Sequence, residues 1–124
     1  MQILGTGVDI VKNSRIKESL KNKNFISRIY TNSEISFSKK IKNKTSYYAK
    51  RFAAKEAFAK ALGTGMRSPV NFKSIEVIHD TLGKPKIKTV PELTFLVKSR
   101  NIKHCHLSIS DEKNIAAAFV VLEK

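Results

Sequence analysis

The chain of 124 residues has a single cysteine, Cys105, so no disulfide can form within it; this agrees with a reducing compartment. No apolar run approaches the roughly 20 residues that carry a helix across a bilayer. The Met1-Gln2-Ile3-Leu4 start lacks a basic region followed by an apolar signal core. The expectation is a cytoplasmic protein with no membrane partner. Acidic residues are scarce, ten against 24 basic ones, and the formal charge of +14 favours acidic or phosphorylated partners. The basic residues are spread along the chain, without the long like-charge block of a disordered tail. Linkers, repeats and low-complexity tracts are absent, and the length suits one domain over residues 1–124. There is no Walker-type phosphate loop, dinucleotide fingerprint or paired-cysteine metal motif.

What the chain does have is a central stretch, Arg51 to Gly65, rich in alanine, phenylalanine and straight-chain charges, which reads as a helix ended by Gly63. At about 100° per residue, its apolar positions cover most of the circumference. Two charged seams remain, one with Glu56 and Lys60, the other with Arg51 and Lys55. Glu56 and Lys60 have the spacing of a solvated i,i+4 pair, a reading that competes evenly with a functional one. Arg51 and Lys55 are like charges at a repulsive spacing. An anion between them resolves the conflict, with two solvated cations as the commoner alternative.

Along the rest of the chain, Ile3 to Val11 reads as a strand interrupted by Gly5 and Gly7. Asp9 lies inside this apolar run, where a buried carboxylate needs a partner, a metal or an exposed strand end; the competing account is a turn-forming aspartate before a helix. Asn13 or Ser14 caps a short helix, and Asn24 to Tyr30 forms another. Thr31-Asn32-Ser33-Glu34 is a capping box that opens a helix toward Lys40 or Lys42. Thr45 caps the central helix. Ser74 to His79 and Lys86 to Val90 form a hairpin, Pro91 starts a helix, and Asn101 stops it. His104 to Ser110 alternates, with Cys105, Leu107 and Ile109 on one face. Ile115 to Leu122 is apolar enough for a central strand. The expected class is α+β, a mainly antiparallel sheet packed against the long central helix.

Asp9 and Glu56 form a pair of hard oxygen ligands, and magnesium takes one or two carboxylates together with water and substrate phosphates. Lys60, one turn from Glu56, can face the same phosphates. The three together read as a phosphoryl-transfer site. A zinc site at His104, Cys105 and His106 is not expected, because adjacent strand residues point to opposite faces.

On four motifs in order, the chain resembles the holo-acyl-carrier-protein synthases, the short bacterial phosphopantetheinyl transferases. These are Gly7-Val8-Asp9-Ile10, Arg51 to Gly65, Gly83-Lys84-Pro85 and His106-Leu107-Ser108-Ile109-Ser110. The resemblance implies transfer of 4′-phosphopantetheine from coenzyme A to a serine of apo acyl carrier protein, in fatty acid biosynthesis, with release of adenosine 3′,5′-bisphosphate. It makes Asp9 and Glu56 the Mg2+ ligands and Lys60 the cation on the developing phosphate charge. It puts Arg51, Gly63, Gly83, Pro85 and His106 at the coenzyme A pocket. Arg15 and Arg28 fall on carrier-contacting segments, although a second family arginine between them has no equivalent and only Lys17, Lys21 and Lys23 supply charge there. Asp111 departs from the histidine of many relatives, and its charge near a nucleotide is unhelpful unless it faces away. The resemblance also implies a homotrimer with active sites between subunits. A nucleic-acid-binding module, motivated only by charge, and a silent scaffold for coenzyme A or carrier are the competing readings. Nucleic acid is not an expected partner, since basic–aromatic interleaving is lacking.

Overall fold

The computed structural model describes residues 2–124, and Met1, the first residue of the start read above for targeting signals, lies outside them. The chain runs β1 (Ile3–Lys12), α1 (Asn13–Ser19), α2 (Lys23–Ile29), α3 (Asn32–Ser38), α4 (Lys44–Leu62), a 3-10 turn (Phe72–Ser74), β2 (Ile75–His79), β3 (Pro85–Thr89), α5 (Pro91–Ser99), β4 (His104–Glu112) and β5 (Ile115–Glu123). The strands form two antiparallel sheets, a three-stranded one ordered β1-β5-β4 and the separate β2-β3 hairpin. No helix among the described residues is long and apolar enough to cross a membrane.

The three-stranded sheet carries α4 on one face, and the closeness of that packing follows from small residues. Gly5, Gly7, Asp9 and Val11 alternate onto the inner face of β1, beside buried Ala116 and Ala118 of β5. A Cβ on Gly5 would lie 2.0 Å from the Ala61 carbonyl oxygen, and one on Gly7 would lie 2.0 Å from that of Ala57. These atoms belong to helix backbone and cannot step aside. Gly7→Ala should therefore lower unfolding free energy toward the upper part of the ~1–3 kcal/mol range for overpacking, or beyond it. Urea unfolding of the variant tests this, and parental stability would show that α4 does not sit so close. β1 is continuous through both glycines, with a register shift only between Ile3 and Gly5. The expected interruption is thus a close approach of helix to strand.

The helix ends differ in detail from the sequence reading. The Thr31–Glu34 capping box is present. α1, however, starts at Asn13 without a side-chain cap of its own. The Ser14 amide donates instead to Oδ1 of Asn114 in the β4–β5 turn, at 3.0 Å. α3 ends at Ser38, short of Lys40, and Lys44 Nζ donates to the Ser38 and Ile41 carbonyls there. Asn43, not Thr45, caps α4 by accepting from the Ser46 amide at 3.0 Å. At the other end of α4, Gly63 takes φ 76°, and Arg100 Nη1 donates to the Leu62 carbonyl at 2.7 Å. α4 is buried nearly all round, from Tyr47 and Tyr48 to Ala61 and Leu62, as its apolar circumference predicts.

Candidate active site

Asp9 lies within β1, three residues before the strand ends, not at its end or in a turn. In register it stands opposite Ala118, which stands opposite Ile109, so the three residues form one row across the sheet face beneath α4. Its partner is Lys60, whose Nζ lies 3.0 Å from Asp9 Oδ1 and donates to the Val8 carbonyl at 3.0 Å. Lys60 thus bonds across to the strand, and the solvated Glu56–Lys60 pair is not formed. Glu56 stands one turn earlier on the same helix. Burial, and then the charge of Asp9, raise its pKa, while Lys60 opposes the rise. The Asp9 carboxylate, paired with the Lys60 ammonium, and the Glu56 carboxyl beside them form a corner whose hard oxygens can hold a divalent cation. Among the described residues no group of three or more histidine, cysteine or acidic side chains gathers. Any such cation would therefore take most of its ligands from water or from substrate.

The second charged seam of α4 is not solvated. Lys55 is fully buried, and its Nζ lies 2.8 Å from Glu34 Oε1 and donates to the Phe72 and Ile75 carbonyls. The other Glu34 oxygen accepts from the Val77 amide at 2.9 Å, and Oε1 also accepts from the Thr31 amide at 2.9 Å. The anion called for by the Arg51–Lys55 repulsion is thus Glu34, a residue legible in the sequence only as the end of a capping box. Burial pushes the Lys55 pKa down, and Glu34 opposes this.

Arg51, also buried, lies over the Tyr47 ring at 3.7 Å from the centroid, and its Nη2 lies 3.3 Å from His79 Nδ1. Guanidinium nitrogens only donate, so Nδ1 accepts and His79 carries its proton on Nε2. Burial and the Arg51 charge lower the His79 pKa, and burial pushes the Tyr47 phenol up to about 12. Arg51 Nε is buried without a partner. These groups line an open cleft of about 550 Å3 with Lys50, Gly83, Pro85 and Asp111. Its β2–β3 rim is shaped by Gly83 at φ 84° and by Asp80, whose Oδ1 accepts from the Leu82 and Lys84 amides at 2.9 Å each. Those bonds, led by Lys84, hold the Asp80 carboxyl below its ordinary range.

Arg51, Gly83 and Pro85 therefore share one cleft, and Asp9, Glu56 and Lys60 share one corner. The two lie on opposite flanks of α4. Arg51 and Glu56 project about 140° apart around the helix. The corner lies on the β1 flank, and the cleft reaches Ile109 on β4, two strand spacings or about 10 Å across the sheet. Gly63 lies at the end of α4, outside the cleft lining, and His106 lies on the outer sheet face, where Nε2 pairs with Glu123 Oε1 at 3.0 Å. Arg15 and Arg28 are exposed on α1 and α2. The sequence reading passed over Lys50, His79 and Ser46 as cleft residues. Ser46 and Lys50 lie one turn apart on α4, upstream of the stretch singled out, and His79 comes from β2, so no local spacing announces their convergence. Asp111 faces the cleft rather than away from it.

Comparison with known proteins agrees along the whole chain. The family model for the 4′-phosphopantetheinyl transferase superfamily matches residues 5–120. A holo-[acyl-carrier-protein] synthase of Pelagibacter ubique is 56% identical over 130 aligned positions, covering 100% of this chain and 99% of that one. A holo-[acyl-carrier-protein] synthase crystal structure from Neisseria meningitidis superposes with TM-score 0.96 at 44% identity, covering 99% of this chain and 100% of that one. The Helicobacter pylori holo-[acyl-carrier-protein] synthase in complex with coenzyme A gives TM-score 0.84 at 32% identity, covering 95% and 99%. The motif order, the α4–sheet packing and these likenesses together place the chain in the 4′-phosphopantetheinyl transferase superfamily, among the holo-[acyl-carrier-protein] synthases.

Proposed function

We propose that the chain moves 4′-phosphopantetheine from coenzyme A to a serine of apo acyl carrier protein, giving holo carrier and adenosine 3′,5′-bisphosphate. The observation that carries this reading is the corner formed by Asp9, Glu56 and Lys60. Incubation with Mg2+, coenzyme A and apo carrier, followed by intact mass of the carrier, tests it: the expected result is a phosphopantetheine adduct, and its absence would refute the transferase. Coenzyme A binding without an adduct would leave a scaffold.

The residues fit a hard divalent ion. Asp9 and Glu56 offer only carboxylate oxygens, the hard donors that such an ion prefers, and Glu56 is partly buried beside the charge of Asp9. When bound, Mg2+ supplies charge neutralisation at the diphosphate of coenzyme A. Lys60 is 53% exposed at its side chain, so its ammonium can turn from Asp9 to a phosphate oxygen and hold the charge that grows on the departing bisphosphate. In the transfer, the serine oxygen bonds to the pantetheine-bearing phosphorus as that phosphorus loses its bond to the bridging oxygen, which leaves with adenosine 3′,5′-bisphosphate. Glu56, held above the ordinary carboxylate range, is the side chain best matched to receive the serine proton. The reading includes cytoplasmic action, in keeping with Cys105 as a free thiol.

The two half-sites on opposite flanks of α4 support an active site assembled between subunits of a homotrimer. The outer face of the β1-β5-β4 sheet supports the same assembly. Val8 is 59% exposed, Ile10 66% and Phe119 46%, and Val8 stands opposite Phe119 in register, so they form a continuous apolar surface for a second copy. His106 lies on that surface and comes to coenzyme A only through such a contact. The expected outcome of mixing inactive Asp9→Ala and Arg51→Met subunits is partial recovery of transfer, because a mixed oligomer contains some intact corner-plus-cleft pairs. Complete inactivity of a mixture that sedimentation shows to have exchanged subunits would place the whole site in one chain.

Arg15 and Arg28 are proposed to meet the acidic carrier. Arg15 borders a groove of about 390 Å3 with Ile10, Val11, Lys12 and Ile115. Arg15→Ala should raise KM for the carrier about tenfold, the scale of one lost charge-assisted contact, and leave KM for coenzyme A unchanged. Steady-state kinetics with each substrate varied in turn checks this, and an effect on coenzyme A alone would move Arg15 to the nucleotide.

A further inference from the structure

The cleft beside Arg51 has two chemically different walls. One is donating, made of the Arg51 guanidinium and the Nε2–H of His79, with the Lys50 cation one turn along α4 from Ser46. The other is made of Asn43, Ser46 and Asp111. On that second wall the local bonds leave one group uncommitted. Asn43 Oδ1 is occupied by the Ser46 amide at 3.0 Å, and Ser46 Oγ donates to Asp111 Oδ2 at 3.2 Å. An ionised carboxylate has about four lone-pair sites, and this bond uses one. Asp111 thus brings a carboxylate with open acceptor sites to a cleft that also holds the Arg51 and Lys50 cations, and the Ser46 bond fixes its direction.

A ligand that suits both walls has anionic oxygens at one end and hydrogen-bond donors at the other. The nucleotide end of coenzyme A has this polarity, with phosphates on one side and the amino and hydroxyl groups of adenosine on the other. Resting on the proposed function, we infer that Asp111 is a specificity residue that accepts a hydrogen bond from a nucleoside amino or hydroxyl group of the donor, while Arg51 and His79 take phosphate. The same carboxylate sets the orientation, since a nucleotide entering reversed would set phosphate against Asp111 and leave Arg51 facing neutral groups. The charge that looked unfavourable beside a nucleotide becomes a reader of its uncharged half.

The experiment measures KM and kcat for coenzyme A and for dephospho-coenzyme A, which lacks the 3′-phosphate, in the parent, Asp111→Asn and Asp111→Ala enzymes, and the calorimetric Kd of coenzyme A for the parent and Arg51→Met. Asp111→Ala should raise KM about tenfold for both donors alike, the scale of one hydrogen bond to a charged group, with kcat little changed. Asp111→Asn keeps a carbonyl acceptor and should recover part of the loss. Competition with adenosine and inosine 3′,5′-bisphosphates then separates amino from hydroxyl contact: loss of the adenosine preference in Asp111→Ala identifies the amino group, and unchanged preference identifies a hydroxyl. A lower KM for coenzyme A alone in Asp111→Ala would show that the carboxylate merely repels the 3′-phosphate and would overturn the inference. An unchanged KM for both donors would overturn it as well. Failure of the underlying reading looks different: coenzyme A would then bind Arg51→Met with the parental Kd in calorimetry.

Discussion

Glu56→Gln is expected to give a protein that folds, melts above the parent at neutral pH, and loads the carrier at least about 10²-fold more slowly. The loss in rate follows from removing one of two carboxylates at the Asp9–Lys60 corner, to which the proposed function assigns the charge stabilisation of the transfer. The gain in stability follows from linkage. Burial and Asp9 raise the folded-state pKa of Glu56, so the folded chain holds this proton more tightly than the unfolded chain. The stability contributed by the carboxyl is full below its unfolded pKa of about 4.3, and it is lost as pH rises through the raised folded value. Glutamine keeps the shape without the charge. The variant should therefore melt higher than the parent at pH 7, and the gap should close near pH 4. Mg2+ should raise the melting temperature of the parent and leave that of Glu56→Gln little changed, a readout independent of activity. Calorimetry from pH 4 to 7, with and without Mg2+, together with intact mass of the carrier, measures all three. Full activity in the variant would remove Glu56 from the site.

The other large effect concerns Lys55. Lys55→Met leaves the buried Glu34 carboxylate without its cation and takes the Lys55 donor from the Phe72 and Ile75 carbonyls. Breaking a buried pair from one side costs about 3–5 kcal/mol, a large part of the ~5–15 kcal/mol that holds a domain folded. The loss should appear as a lower urea midpoint at unchanged slope. Replacing both partners, as Glu34→Gln with Lys55→Met, should recover part of it, because the Glu34 carboxylate is then no longer buried without its cation, although Arg51 stays buried and loses the Glu34 charge. If Lys55→Met alone unfolds near the parental midpoint, the pair does not tie α3, α4 and β2 together as the geometry indicates. The pair also bears on function. It anchors β2, which carries His79, against the helix that carries Arg51, and so sets one wall of the cleft.

Much of this organisation was legible in the chain because the signals are local. The apolar circumference of Arg51 to Gly65, the capping box at Thr31 and Glu34, Pro91 and the alternation of His104 to Ser110 each act within one or two turns or strand repeats. Their elements appear where such short-range preferences put them. The helix starts at Asn13 and Lys44 were harder to place. In the first case the amide is satisfied by Asn114, a hundred residues away; in the second, Asn43 and Thr45 both have capping side chains and only the entering backbone chooses.

Propensity, burial pattern and motif order need no distant partner, and they were enough for the α+β class, the buried central helix and the residue types of the Asp9–Glu56–Lys60 corner. Only the tertiary structure decided which groups meet. It gave Lys60 to Asp9 rather than Glu56 and filled the Arg51–Lys55 seam with Glu34. It also turned Asp111 into the cleft, and set cleft and corner on opposite flanks of α4. Each outcome depends on how closely a glycine-bearing strand lets that helix approach and on which side chains then lose water together.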